Sequence, residues 1–555
     1  MGMNKHASIA VALVVVLVSS SLATAGHLRV PAQIPVRDGK TLAADVYLPG
    51  LVGAWPAVLI QTPYDKRSFW AVFPNDTVQD PFLKSLEYAF VVVDWRGFFA
   101  SSSAAVPGAD RGLDGYDVVE WVARQNWCTG KVGTWGASAL GVIQFQTASK
   151  HPPHLTASVP IVAHPREEYE VYFPGGVFAR NRNAFVSGHF GGGEALRQHP
   201  TYDSLWQAIE AGGVQPEHID VPMLHVSGWY DHGTSLALRE SAAIRERGGS
   251  GARDRQWLLV GPWTHGGAST GKEQEGQLSY PAAAQEASRE AKAFFDFFLR
   301  GVENGWDSRP FVRAFRINED RWVTGDRWPS PAATARRFWL GVEGTLRATP
   351  PGDNAGDLAI VVDPSDPVPT LWGAIIVEGN GNRQGPGDLS TLETRRDVVT
   401  FTTEPLTHPL AIEGVAVVTV SLTCDAVDTD LAVRMTEVAP DGRSLLLVDG
   451  IRRASLRESY SERKLLEPGV TVRVSVTLPP VAVTIPAGHR LRLVVAPSNY
   501  DRFDVNMQDG SSLSDDSGAT ATVATVDLLV SSDSPAVLEL PILPDARVRG
   551  RIGAR

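Results

Sequence analysis

Cysteine is almost missing from this chain, with only Cys128 and Cys424 among 555 residues. That excludes a disulfide-stapled scaffold and a thiolate zinc cluster. The two cysteines fall in what read as different domains, and spacing alone does not establish a bridge across so long a loop. The expected state is two free, buried thiols. Spaced metal ligands are missing too. The nearest approach is "HPPH", His151 to His154, whose prolines mark a surface turn after a helix, so no metal and no cofactor is expected. Blocks of Lys and Arg are likewise absent. With 51 basic against 62 acidic residues and a net charge of −11, nucleic acid and anionic membrane surfaces are not expected partners.

The one long apolar run is N-terminal. Lys5 and His6 precede "ASIAVALVVVLV", then "SSSLATAG" follows with the small-residue site Ala23-Thr24-Ala25. This pattern predicts a secretory signal over residues 1–25, cleaved before Gly26, and a secreted or periplasmic protein with no membrane contact after cleavage. A membrane anchor is the competing reading; the run is short for a spanning helix, and small polar residues follow it.

A chain of 555 residues exceeds one hydrophobic core, and two regions with different periodicities are legible. In the first, "PAVLIQTPY" and "AFVVVDWRG" read as buried parallel strands, "LDGYDVVEWVARQ" as a helix, "KVGTWG" as a strand and "ALGVIQFQTAS" as a helix. The βαβα succession predicts a mainly parallel, helix-covered sheet over 26–162, resuming over 222–329 with "VPMLHVSGWYD" and "QWLLVGPWTH". Between them, 163–221 reads as an irregular lid insertion rich in Gly, His, Arg and aromatics. From about 330 to 555 helical period nearly vanishes. Alternating strands such as "VAVVTVSLTC" and "HRLRLVVAP" predict an all-β sandwich of jelly-roll type.

Ser138 lies in "KVGTWGASALGV", where an apolar strand runs through small residues into a helix. A nucleophile elbow needs small neighbours so that strand and helix can approach, and Gly133, Gly136, Ala137 and Ala139 meet that need. The strict G-x-S-x-G pattern is not met, since Leu140 stands where the second glycine belongs and Gly141 follows one place later. A serine hydroxyl needs a base, and the base needs a carboxylate to hold its tautomer. Two later apolar strands end in candidates for those roles, first Asp231 and then His265. Each has a bland alternative, a helix N-cap for Asp231 and a loop imidazole for His265. The order Ser, acid, His is that of α/β-hydrolases.

Six ordered segments then become specific: "QTPYDKR", "VVVDWRGFFAS", "EWVARQNWCTGKVGTWGAS", "SGWYD", "GPWTH" and "KAFFDFFLRG". With "VDPSDPVPTLWGA", "AVDTDLAVRMTEVAPDGRS" and "IPAGHRLRLVVAPSNYDRFD" farther on, nearly the whole mature chain resembles the CocE/NonD serine hydrolases, the cocaine esterase and X-Pro dipeptidyl-peptidase group. The resemblance implies an α/β-hydrolase fold with a C-terminal jelly roll, Ser138 as nucleophile, Asp231 as acid and His265 as base. It also implies Tyr64 and the Ala139 backbone N–H as oxyanion donors. Tyr64 has its own bland alternative, an aromatic capping a strand end. By the same alignment Ile376 and Val377 reach the acyl pocket, with Trp135 and Trp229 as further pocket candidates. Two departures stand out: the family commonly has Tyr where Ala139 stands, and the insertion is shorter than the family's helical cap.

The implied activity is cleavage of a small-molecule ester, amide or short peptide through an acyl-enzyme. An X-Pro dipeptidyl-peptidase or acylase is the alternative and needs carboxylates opposite a substrate ammonium. Glu167, Glu168 and Glu170 are placed to serve, although an acidic surface run is the simpler reading. The related α-amino-acid ester hydrolases carry extra acids soon after the triad Asp, whereas "DHGTS" in this chain has none. A third reading is an inactive hydrolase whose β-domain binds carbohydrate. Oligomeric state is not legible in the sequence.

Overall fold

The computed structural model describes residues 26–73, 80–350, 356–511, 513, 520–531 and 535–544, so the expected signal over 1–25 lies outside the described residues. Among the described residues no helix is long and apolar enough to cross a membrane.

The first sheet is built from β1 (Leu28–Pro35), β2 (Thr41–Leu48), β3 (Trp55–Thr62), β4 (Ala89–Asp94), β5 (Cys128–Ala137), β6 (Leu155–Ile161), β7 (Met223–Tyr230) and β8 (Gln256–Thr264). A two-residue hairpin follows, β9 (Gln274–Glu275) with β10 (Leu278–Ser279), and then β11 (Val312–Arg316) and β12 (Arg321–Gly325). The order across the sheet is β1-β2-β4-β3-β5-β6-β7-β8-β11-β12. Every pairing from β4 through β11 is parallel, and antiparallel strands close both edges. β7 and β8 are buried at every position, the mark of strands covered on both faces.

On one face lie α1 (Arg111–Ala123) and α2 (Ala139–Ala148), with Val118, Val119, Val122 and Phe145 in one core cluster. The other face is covered by α9 (Glu286–Phe298), which inserts Phe294, Phe295 and Phe298; burying each stabilises by about 1.5–3 kcal/mol.

The insertion is helical rather than irregular. It contains α3 (Tyr169–Tyr172), α4 (Arg180–Phe190), α5 (Gly193–Arg197) and α6 (Ser204–Gly212). Sequence period missed these because α4, "RNRNAFVSGHF", has no apolar stripe. Tertiary bonds hold it instead: buried Asn183 donates its side-chain amide to the Tyr172 carbonyl. An aromatic cluster of Tyr169, Tyr172, Phe173, Phe178 and Trp206 fills the space beneath. Asp203 caps α6, accepting from Leu205 N at 2.9 Å and Trp206 N at 3.4 Å. After the insertion come α7 (Thr234–Arg247) and the short α8 (Gly267–Thr270).

Beyond Thr334 the chain is all-β, with short 3-10 turns as its only helical pieces among the described residues. Its 13 strands form one hydrogen-bonded network there, because Thr345–Arg347 pairs with Thr334–Gly341 on one side and Val399–Thr402 on the other. Both thiols are free; Cys424 is buried as expected, but Cys128, at the outer end of β5, is only half-buried.

The β-domain grips the insertion. Asn181 Oδ1 accepts from Ile376 N at 3.0 Å and Val377 N at 3.1 Å, and Asn181 Nδ2 donates to the Val377 carbonyl at 2.8 Å. Asp504 pairs with both Arg180 and Arg197, and Tyr202 N donates to the Tyr460 carbonyl. The insertion is therefore bonded directly to the C-terminal domain.

Candidate active site

The site lies at the C-terminal edge of the parallel sheet, where β3, β5, β7 and β8 deliver Tyr64, Ser138, Asp231 and His265. Ser138 sits between β5 and α2 with φ 57° and ψ −125°, a strained conformation for a residue with a side chain. Such strain costs on the order of 1–3 kcal/mol and persists only where surroundings impose it. The surroundings of Ser138 are specific. Ser138 N donates to the Ile161 carbonyl, while Gly141 N and Val142 N donate back to the Ser138 carbonyl. Buried Gln144 ties the elbow together from below, donating Nε2 to the Gly136, Leu140 and Val159 carbonyls and accepting from Thr134 Oγ1. A Cβ on Gly141 would come within 2.5 Å of Ala163 Cβ, so glycine is required three residues after the serine, not two. That close approach accounts for the glycine at 141.

Tyr64 follows β3 and lies at the elbow, where the Ser138 side chain acts on its phenol. Burial raises the phenol above its ordinary value and outweighs the opposing bond to Ser138, so it remains an O–H donor at neutral pH. The Ala139 amide opens α2, in the turn where helix N–H groups have no intrahelical acceptor. Edge-on against Tyr64 stand His189 and Phe190, at the end of α4, with ring centroids 5.8 and 6.3 Å away. Phe190 also meets Trp95 and Phe98, making an aromatic rim that is partly open to solvent.

Asp231 follows β7 and is buried. Its Oδ1 accepts from His265 Nδ1 at 2.6 Å and its Oδ2 accepts from Gly233 N at 3.0 Å. Burial opposes ionisation of this carboxyl, yet the neighbouring imidazoles of His232 and His265 outweigh it and hold the group well below the usual carboxylate range. His265 follows β8, and α8 just beyond it packs beside both β5 and β7. The structure thus places Tyr64 beside Ser138 and bonds Asp231 to His265. Among the described residues no hydrogen bond joins Ser138 Oγ to His265.

His232 went unnoticed in the sequence. Its Nδ1 lies 3.2 Å from the same Asp231 Oδ1, and its ring centroid is 4.8 Å from that of His265. Burial pushes it down to about 4 against the pull of Asp231, so it is neutral at neutral pH. Ligand atoms of Asp231, His232 and His265 fall within 4.8 Å of one another. Asp231 Oδ1 is already the acceptor for His265 Nδ1–H, and the set reads as a carboxylate holding an imidazole.

The pocket candidates need correction. Trp135 is buried in β5 against Phe82, and Trp229 is buried in β7 with its indole N–H on the Phe315 carbonyl and its ring against Trp328. Both belong to the core because these strands are covered on each face. The β-domain does reach the insertion. A cavity of about 320 Å³ between insertion, α7 and β-domain is lined by Ala374, Ile375, Asn181 and His232. Ile376 is half-buried, Val377 is exposed, and their backbones are occupied by Asn181.

A parallel sheet edge that presents a strained serine on an elbow, with a carboxylate-held histidine three strands beyond it, defines the α/β-hydrolase class. Family models then place the chain within it. The X-Pro dipeptidyl-peptidase (S15 family) model matches residues 38–192 and 187–267, and the X-Pro dipeptidyl-peptidase C-terminal non-catalytic domain model matches 304–527. Cocaine esterase of Rhodococcus sp. is 30% identical over 92% of this chain and 97% of its own. The chain belongs to the CocE/NonD serine hydrolases, the cocaine esterase and X-Pro dipeptidyl-peptidase family. Two solved structures share the fold: an α-amino acid ester hydrolase (TM-score 0.82, 24% identity, 94% of this chain and 98% of that one) and an aminopeptidase from a Thaumarchaeota archaeon (TM-score 0.81, 22% identity, 95% and 99%).

Proposed function

We propose that the protein is an esterase that works through an acyl-enzyme on Ser138. His265 Nε2 takes the hydroxyl proton as Oγ bonds to the substrate carbonyl carbon. The carbonyl oxygen becomes an oxyanion held by the Tyr64 hydroxyl and the Ala139 N–H. The tetrahedral centre collapses, the alcohol leaves with the proton from His265, and water repeats the cycle to release the acid. Asp231 keeps the proton on His265 Nδ1 and stabilises the imidazolium. The observation that carries this reading is the 2.6 Å Asp231–His265 bond on the sheet edge where Tyr64 meets Ser138.

Ester rather than dipeptide cleavage is supported by the glutamates that open the insertion. Glu167 pairs with Arg182, Glu168 with Arg166 and Arg239, and Glu170 accepts from the Tyr460 hydroxyl. All three are engaged, so an incoming ammonium would have to displace an existing partner. The X-Pro dipeptidyl-peptidase reading is supported by the family models. p-Nitrophenyl acyl esters compared with Gly-Pro-p-nitroanilide decide between the two: kcat/KM is expected to favour the esters, and preference for the anilide would reverse the assignment. Tyr64→Phe is expected to lower kcat about 10²–10³-fold with little change in KM, since it removes a donor that matters most once the oxyanion forms. Export is part of this proposal, and N-terminal sequencing of the mature protein is expected to begin at Gly26.

A further inference from the structure

Glu275 is a buried carboxyl that the acyl-transfer mechanism does not use. It is 3% exposed, and its Oε1 has no hydrogen-bond partner among the described residues. Its Oε2 accepts from Thr264 N at 3.2 Å and Thr264 Oγ1 at 2.8 Å, and Thr264 Oγ1 in turn accepts from Gly267 N at 3.1 Å. Thr264 and Gly267 flank His265-Gly266, so one carboxyl ties both sides of the turn that carries the imidazole. The fit is close: a Cβ on Gly267 would stand 1.7 Å from Glu275 Oε1.

The hairpin bearing Glu275 is fixed from outside the hydrolase domain. Its turn, Gly276-Gln277, rests on the β-domain segment 385–388. Gln277 N donates to the Pro386 carbonyl at 2.9 Å, and Asp388 N donates to Gln277 Oε1 at 2.8 Å. Gly276 has φ 54°, and a Cβ there would lie 2.2 Å from the Pro386 oxygen. Asp388 is itself bonded into the β-domain, where its Oδ1 accepts from Ser444 N.

We propose that Glu275 is a positioning residue for His265, and that the hairpin 274–279 is the element through which the C-terminal β-domain sets where the catalytic imidazole stands. The proposal rests on the reading of His265 as the base. It gives the non-catalytic domain a definite role in turnover: its segment 385–388 braces the hairpin, the hairpin seats Glu275, and Glu275 seats the His265 turn. Burial raises the Glu275 carboxyl above its ordinary value, against the Thr264 bonds and the charge of Lys272, and either protonation state retains an acceptor for Thr264. A displacement near 1 Å at a catalytic group can cost about 10²-fold in rate.

The test compares Glu275→Leu, Glu275→Gln and Gly276→Ala in the full chain on one p-nitrophenyl ester. The Asp231–His265 bond is followed by the far-downfield proton resonance of the His265 Nδ1–H. Expected for Glu275→Leu and Gly276→Ala is a fall in kcat of about 30- to 100-fold with KM within about threefold, and a shifted or broadened resonance. Glu275→Gln keeps an acceptor for Thr264 and is expected to recover at least tenfold of the Leu loss. If Glu275→Leu does not fold, Gly276→Ala decides, because it leaves the carboxyl in place. A folded Glu275→Leu or Gly276→Ala with kcat within threefold of the parent and an unmoved resonance would overturn the proposal. Ser138→Ala, run alongside, separates the two claims: its loss of turnover together with an unaffected Glu275→Leu rejects positioning alone, whereas turnover surviving Ser138→Ala rejects the esterase reading itself.

Discussion

Ser138→Ala is expected to lower kcat on an acyl ester by about 10⁶-fold while leaving KM within a few-fold, because the group that forms the acyl bond is gone and the rest of the cleft remains. Stability should not fall with activity. The serine side chain contributes no cap to α2, and its positive φ is imposed by the Ile161 carbonyl, the Gly141 contact and the Gln144 network. Alanine keeps that strain. Ser138→Gly relieves it, and thermal unfolding is expected to rise relative to the parent by an amount corresponding to about 1 kcal/mol. A melting temperature that drops sharply in both variants would mean the hydroxyl holds the elbow together, which the backbone and Gln144 bonds do not require.

Asp231→Asn is expected to cost about 10⁴-fold in kcat with the fold intact. An amide can present its N–H₂ toward His265, which forces the imidazole into the tautomer that cannot accept the serine proton. Asp231 is held well below the usual carboxylate range, so it stays ionised through the neutral and mildly acidic region. The sign of its effect on stability follows. A carboxyl with a depressed folded-state value contributes stability that is complete above its unfolded value and is lost only as pH falls through the lower folded value. The gap in melting temperature between parent and Asp231→Asn should therefore persist from pH 8 down to about pH 5. A gap that closes within that window would mean that the carboxyl takes up a proton there, the opposite of a lowered value, and would leave His265 without an ionised partner.

Much of this site was legible because strand ends in a parallel sheet are marked in sequence. "KVGTWGAS", "SGWYD" and "GPWTH" each end an apolar run in a polar residue, and the sheet order turns those three ends into one edge. What sequence missed depends on contacts between distant segments. The elbow glycine at 141 is explained only by Ala163 across the β6 loop. The helices of the insertion lack period because aromatic packing and Asn183 hold them rather than an apolar stripe. Trp135 and Trp229, offered as pocket candidates, are core because their strands are covered on both faces. Asn181 holds the backbones of Ile376 and Val377, and their neighbours Ala374 and Ile375 line the cavity beside the insertion, a contact between distant segments that no local pattern marks. His232 and Glu275 gave no signal at all, one being masked by the adjacent Asp231 and the other lying in a strand of only two residues, too short to show a period.

Each step of the proposed chemistry requires that one serine on a strained corner become covalently acylated with the help of a carboxylate-held histidine. Treatment of the full chain with a fluorophosphonate, followed by peptide mass mapping, reads that event directly. The expected product is a single phosphonyl adduct on the peptide containing Ser138, absent from Ser138→Ala and formed far more slowly by His265→Ala. An adduct on any other residue, or labelling undiminished in Ser138→Ala, would contradict it.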